Sequence, residues 1–152
     1  MEKIKVKIKI DCDYCIPGLP FKFNFPVYKT PGSAGCDLFN AGKPQVIKPM
    51  ERAFIYTGIS IQLPEGYEAQ VRGRSGLNKN HGIVVPVGTI DSDYRGEIGV
   101  VVYNLSDRVY TIDSGDRIAQ LVISPVVQAD FHEVAFLDST ERGDGGFGST
   151  GK

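Results

Sequence analysis

Cysteine is scarce in this chain of 152 residues, which holds three, and an odd count does not make a disulfide framework. Cys12 and Cys15 form a C-x-x-C, but the rest of a zinc site is missing. Cys36 is the one other thiol, and His81 and His132 are not at a recognised ligand spacing. Free thiols at a turn are the expectation. Long apolar runs are also lacking, so no segment reads as a bilayer span. The N-terminal "MEKIKVKIKI" alternates charge with aliphatics and has no apolar block of the signal-peptide kind, which points to a cytoplasmic protein. Neither sign of charge dominates: 17 Lys plus Arg face 18 Asp plus Glu. That balance gives no general attraction to nucleic acid or membrane. Internal repeats and long linkers are absent as well.

What is there reads as β-structure. Turn segments such as "KTPGSAG", "LPEGYE", "DSDYRGE" and "DSGD" recur along the chain. Between them lie short stretches rich in Val, Ile, Tyr and Phe. Lys3 to Ile10 alternates polar and apolar residues, the period of a strand with one buried face. Residues 52–63, 67–72, 97–104, 109–112 and 117–127 also read as strands, and Ser75 to Asn80 as a short helix. The expected architecture is all-β, a barrel or sandwich of jelly-roll type, with a core over residues 1–137 and a flexible Gly-rich tail over 138–152.

Polar residues and glycines gather in five places. "GSAGCDL" sets Asp37 after a small-residue turn, where an acid commonly caps backbone N–H groups. "GRSGLNKNHG" offers the guanidinium of Arg74, the hydroxyl of Ser75 and the unhindered backbone of Gly76 at one turn, a set that suits phosphate oxygens. "VGTIDSDYRGEIGV" reads as a tight β-hairpin, with Asp91 and Asp93 on one face if the strand stays regular. A carboxylate at a hairpin neck could take a proton from water, and Tyr94 beside it could face a sugar or base. "DSGDRIAQLVI" leads into a buried strand that Gln120 interrupts, either as hydrogen-bonded core or as a ligand contact. The C-terminal "RGDGGFGSTGK" contains G-x-x-x-x-G-K yet lacks the strand and helix that a P-loop needs. Arg142 and Phe147 set it apart from a plain flexible spacer.

In order, these five segments resemble the five motifs of the trimeric deoxyuridine triphosphatases (dUTPases): "GSAGCDL", "RSGL", "GTIDSDYRG", "GDRIAQL" and "RGDGGFGSTG". The resemblance runs from about Phe25 to Thr150. It implies a jelly-roll-like β-barrel, the β-clip of that family, assembled as a homotrimer with active sites at subunit interfaces. The implied reaction converts dUTP and water into dUMP and pyrophosphate with Mg²⁺, keeping uracil out of DNA and supplying dUMP for dTMP synthesis. By the same resemblance Asp91 is the catalytic base, and Gly88, Thr89, Ile90 and Tyr94 meet the uracil and the sugar. Arg74, Ser75, Gly76 and Gln120 bind phosphates, and Asp37 supports the metal region through water. Phe147 stacks on uracil, while Arg142, Gly148, Ser149 and Thr150 close over the phosphates as a lid. Asn78, Asn80 and Thr89 depart from the common family residues but leave the motif triplets intact. Residues 11–24 differ from the usual short link after the first strand. A deaminase on the same fold, a nucleotide-dependent switch for a protein partner and a β-barrel interaction module without catalysis are the competing readings. The intact Asp91–Tyr94 segment and the Phe-containing tail favour the hydrolase, and no regulatory partner is identified by the sequence.

Overall fold

The computed structural model describes residues 3–11 and 25–146; Cys12, Cys15, Phe147, Gly148, Ser149 and Thr150 lie outside them. Eleven strands and one short helix make up the described chain. The jelly-roll-like all-β architecture expected from the sequence is the one observed. In chain order the first strands are β1 (Lys7–Ile10), β2 (Gly35–Phe39), β3 (Gln45–Ile47), β4 (Arg52–Tyr56), β5 (Ile59–Gln62) and β6 (Tyr67–Arg72). Helix α1 (Ser75–His81) follows, then β7 (Ile83–Val84), β8 (Gly88–Ile90), β9 (Gly99–Asn104), β10 (Tyr110–Ile112) and β11 (Arg117–Pro125).

All pairing is antiparallel. The main sheet runs β2-β11-β6-β8, and a second runs β4-β9-β7, with two-stranded ribbons β1-β5 and β10-β3 beside them. Period-2 patterning drives the burial. In β9, Val100, Val102 and Asn104 point inward and alternate with less buried residues. Val100 and Val102 are fully buried, each contributing about 1.5–3 kcal/mol of hydrophobic stabilisation. They join Leu38, Ile55, Ile83, Ile98 and Ile118 in one core.

Local chemistry adjusts three of the sequence expectations. Residues 52–63 form two strands, because Gly58 takes a left-handed φ of 71° and turns the chain between β4 and β5. Side chains from Lys3 onward keep their alternation, but ladder pairing starts only at Lys7, opposite Gln62. Asp37 lies inside β2, opposite Gln120, rather than following a turn. β2, β3, β7 and β8 were not foreseen; each is five residues or fewer, too short to display a clear period. In β11 the register shifts between Arg117 and Ala119, so Ile118 and Ala119 are buried in succession. That bulge sets the facing of the residues after it, Gln120 included.

Asn104, fully buried, holds the turn after β9. Its Nδ2 donates to the carbonyls of Ile47 (2.9 Å) and Arg108 (2.7 Å). Its Oδ1 accepts from the backbone N–H (3.0 Å) and hydroxyl (2.7 Å) of Ser106. Asn104→Ala leaves the buried Ile47 carbonyl without its donor and releases the Ser106–Arg108 turn, and is expected to cost about 2–4 kcal/mol, read from urea unfolding at fixed protein concentration. A loss under about 0.5 kcal/mol would show that the turn holds itself.

Candidate active site

Two clusters emerge. The first is electropositive and sits where β2, β11 and the end of β6 meet. The register Asp37–Gln120–Arg72 aligns these three strands, and Arg74 follows two residues on as the N-cap of α1. Arg74 Nε lies 3.4 Å from Asp37 Oδ1, and Arg117 Nη1 lies 3.4 Å from Asp37 Oδ2. Arg74 Nη1 also donates to the Arg117 carbonyl at 2.8 Å. One carboxylate therefore orients two guanidinium groups and neutralises one of their two charges. The remainder is a positive site for an anion.

Gln120 Nε2 donates to the Gly73 carbonyl at 3.0 Å, which ties β11 to the loop that carries Arg74. Its Oε1 stands 2.8 Å from where a Cβ on Gly35 would fall, so a side chain there would displace the amide. Gln120 is thus both hydrogen-bonded and adjacent to the cluster. Ser75 and Gly76 are exposed at the start of α1, and a Cβ on Gly76 would meet nothing within 4 Å. No side chain caps that helix and its first turn has no acid, leaving its N–H groups available to an anion. Burial, above all, pushes the Cys36 thiol up, so this neighbour of Asp37 stays neutral.

The second cluster is a pocket of about 240 Å³ lined by Phe54, Thr89, Ile90, Asp91, Tyr94, Glu97 and Gly99. Its two walls come from different sheets. β8 pairs through Ala69–Ile90 and Val71–Gly88 with β6, and Gly99–Val101 of β9 pair with β4. Neither pairs with the other, so the expected hairpin is instead a crossover, and the pocket sits between the two walls. Asp91 lies just past the end of β8, and a turn begins there: Tyr94 N–H donates to the Asp91 carbonyl at 3.2 Å. Asp91 and Asp93 therefore do not share a strand face. The Asp91 side chain is exposed and has no partner among the described residues. Tyr94 is braced by its hydroxyl, which donates to the Glu97 carbonyl at 3.1 Å. Glu97 in turn accepts from the Gly58 N–H at 2.7 Å.

Within one chain the clusters are far apart. β2 and β8 are opposite edges of the main sheet, three strand spacings from one another, and Ile90 faces Ala69 while Asp37 aligns with Arg72. Spacings of about 4.8 Å and a rise of about 3.3 Å per residue put their backbones roughly 17 Å apart. Asp91 lies beyond Ile90 in the direction away from Arg72, so the carboxylate is farther still from Arg74. Arg142, the remaining described candidate, bonds through Nε to the Gly145 carbonyl at 2.9 Å.

Sequence reasoning did not select Arg117, Phe54, Glu97 or Gly99 as site residues. Arg117 heads the "DRIAQL" segment and could have been weighed beside Arg74. Phe54 gave no signal, since an aromatic residue in an apolar strand reads as core. Among the described residues no group of three or more His, Cys, Asp or Glu is placed to hold a metal ion. No helix of the described chain is long and apolar enough to cross a membrane.

The all-β fold thus carries a small pocket with a carboxylate on its rim and, separately, a guanidinium cluster. The dUTPase family model matches residues 22–151. A deoxyuridine 5'-triphosphate nucleotidohydrolase from Hydrogenobaculum sp. (strain Y04AAS1) is 54% identical over 128 residues, covering 83% of this chain and 89% of the relative. Another, from Anaplasma marginale (strain St. Maries), is 50% identical over 152 residues, covering 97% and 99%. Among solved structures, the Staphylococcus bacteriophage 80alpha dUTPase with dUPNHPP superposes with a TM-score of 0.86 at 28% identity, over 99% of this chain and 100% of that one. The chain belongs to the dUTPase family, and its activity is that of a dUTP diphosphatase, which hydrolyses dUTP to dUMP.

Proposed function

We propose that Asp91 activates the water that attacks the α-phosphorus of dUTP, with the nucleoside seated in the pocket beside it and pyrophosphate as the leaving group. The observation that carries this reading is the position of the Asp91 carboxylate, exposed on the rim of that pocket and unpartnered among the described residues. In-line attack puts water and leaving group on opposite sides of phosphorus, so base and phosphate clamps belong at different places. General-base assistance supplies roughly 10²–10⁴-fold, and the rest comes from charge neutralisation and positioning. In the pocket, the strand backbones of Thr89, Ile90 and Gly99, with Gly88 just before them in β8, offer fixed donors and acceptors to a pyrimidine edge. Tyr94, locked by its bond to Glu97, crowds the sugar and disfavours a ribose hydroxyl.

The phosphates are assigned to Arg74, Ser75, Gly76 and Gln120 of a second copy. Within one chain these groups lie roughly 17 Å or more from Asp91 by strand spacing, too far for neighbouring phosphates of one triphosphate. A homotrimer with sites between subunits brings them together. Two surface features support association. Residues 126–146 carry no strand and expose Val127, Phe131, Phe136 and Leu137 at 89–94% of their surface. Among the described residues β1 pairs only with β5. Apolar surface of this kind calls for a cover that another subunit can provide. Arg142, with Phe147, Gly148, Ser149 and Thr150, completes the site as a lid from the C-terminal segment.

The residues suit Mg²⁺ carried by the substrate. Asp37 is already engaged by two arginines and would meet the ion through water, and among the described residues no protein cage surrounds the site. When bound, Mg²⁺ would offset the charge of the phosphates. A structure of the phage phi11 dUTPase is described as revealing the coordination of a structural Mg(II) ion, at 25% identity and a TM-score of 0.77. In the cell the reaction would keep uracil out of DNA and supply dUMP for dTMP synthesis.

The test is pyrophosphate release from dUTP, UTP, dTTP and dCTP, with Mg²⁺ and with a chelator. Rapid release from dUTP alone, slowed by the chelator, is the expected result. A folded protein that binds dUTP without cleaving it would instead make the site a nucleotide switch.

A further inference from the structure

Phe54 is the anomaly of strand β4. Its neighbour Ile55 is 2% exposed, whereas the Phe54 ring is 54% exposed. Exposure has not left the ring loose. It meets Tyr56 edge to face, with centroids 5.0 Å apart at 85°. It also lies directly over Gly99: a Cβ there would fall 1.9 Å from Phe54 Cζ and 2.6 Å and 2.7 Å from its Cε atoms. In the β4–β9 register Gly99 faces Tyr56 and Phe54 faces Val101, so the ring leans along the strand into the space that glycine leaves. From there it lines the same pocket as Thr89, Ile90, Asp91 and Tyr94.

We propose that Phe54 is a substrate-contact residue, the apolar wall on which the pyrimidine nucleoside packs, and that Gly99 is the seat that lets the ring reach it. This rests on the reading of the pocket as the nucleoside half of the site. Sheet stability would be served equally well by an aliphatic residue at position 54. A phenyl ring folded toward a pocket with the Asp91 carboxylate on its rim and a second aromatic, Tyr94, serves a flat ligand better. Aromatic faces bind bases through stacking that water does not replace. The contact involves the nucleoside and not the phosphates, so it affects substrate affinity more than the chemical step.

The chain contains no Trp, so Phe54→Trp introduces a single tryptophan at the pocket, which can be excited selectively over the seven Tyr. Titration with dUMP is expected to change its emission saturably, and pyrophosphate alone is expected not to. In steady-state assays Phe54→Ala should raise KM for dUTP roughly tenfold while kcat stays within about twofold, and Phe54→Tyr should restore KM. Gly99→Ala, which unseats the ring, should raise KM as well, and should add nothing in the Phe54→Ala background. If the unmodified protein does not cleave dUTP, the parent reading of the pocket falls and this one falls with it. If it does cleave dUTP, an unresponsive Phe54→Trp that is still active overturns the contact alone. So does a Phe54→Ala protein with unchanged KM and a lowered Tm, which would make the ring structural.

Discussion

Asp91→Asn is expected to keep the fold and dUTP affinity and to lose roughly 10²–10⁴-fold in kcat. The change is isosteric, and the carboxylate it replaces makes no hydrogen bond to a described residue. Removing it therefore breaks no bond to a described residue. The backbone turn from Asp91 to Tyr94 uses main-chain atoms and survives. What disappears is a group able to accept a proton from water, since an amide oxygen is a far weaker base. Binding of a non-hydrolysable analogue, measured by calorimetry, should match the unmodified protein. Near-normal turnover would remove Asp91 from the role of base and direct attention to water activated by the phosphates themselves.

Ending the chain after Glu141 is expected to leave folding and assembly intact and to reduce kcat/KM by about 10²–10³-fold, the scale for losing preorganised donors to a developing charge. The described part of the removed segment is locally bonded. Gly143 N–H donates to the Thr140 carbonyl and hydroxyl at 3.2 Å each, and Gly145 N–H to the Arg142 carbonyl at 3.1 Å. Arg142 closes the same turn. These bonds all lie within residues 140–145, so the β core does not depend on them. The loss should come from the phosphate side, where Arg142 brings a charge-assisted fork, and from the nucleoside side, where Phe147 brings an aromatic face. Sedimentation would report the assembly and pyrophosphate release the activity. Full activity of the shortened protein would rule out a closing tail.

The substrate reading and the assembly reading are separable in these experiments. Asp91 and the pocket sit within one chain, while the phosphate role proposed for Arg74 places it on a second. A variant pair, one protomer carrying Asp91→Asn and the other lacking Arg74, would complement only across a shared interface.

The sequence determined a good deal by itself. Strand β6 and helix α1 were legible because Tyr67–Arg72 is bounded by turn residues and Ser75 follows a glycine turn. Alternation in "GVVVYN" marked β9 because one face must be dry and the other wet. The five motifs named the family because their chemistry is local: each turn carries its own glycines, acids and donors. Tertiary structure alone decided the rest. Gly58 could be recognised as a break only once its φ of 71° separated β4 from β5. Asp37, read as a turn acid, became the carboxylate between Arg74 and Arg117 only when β2 paired with β11. Phe54 looked like core until its ring came to rest on Gly99, forty-five positions along the chain. The physical reason is the same in each case. Period and turn chemistry depend on neighbours in sequence, but the side chain that a residue faces across a sheet depends on register, which is set by the packing of the whole core.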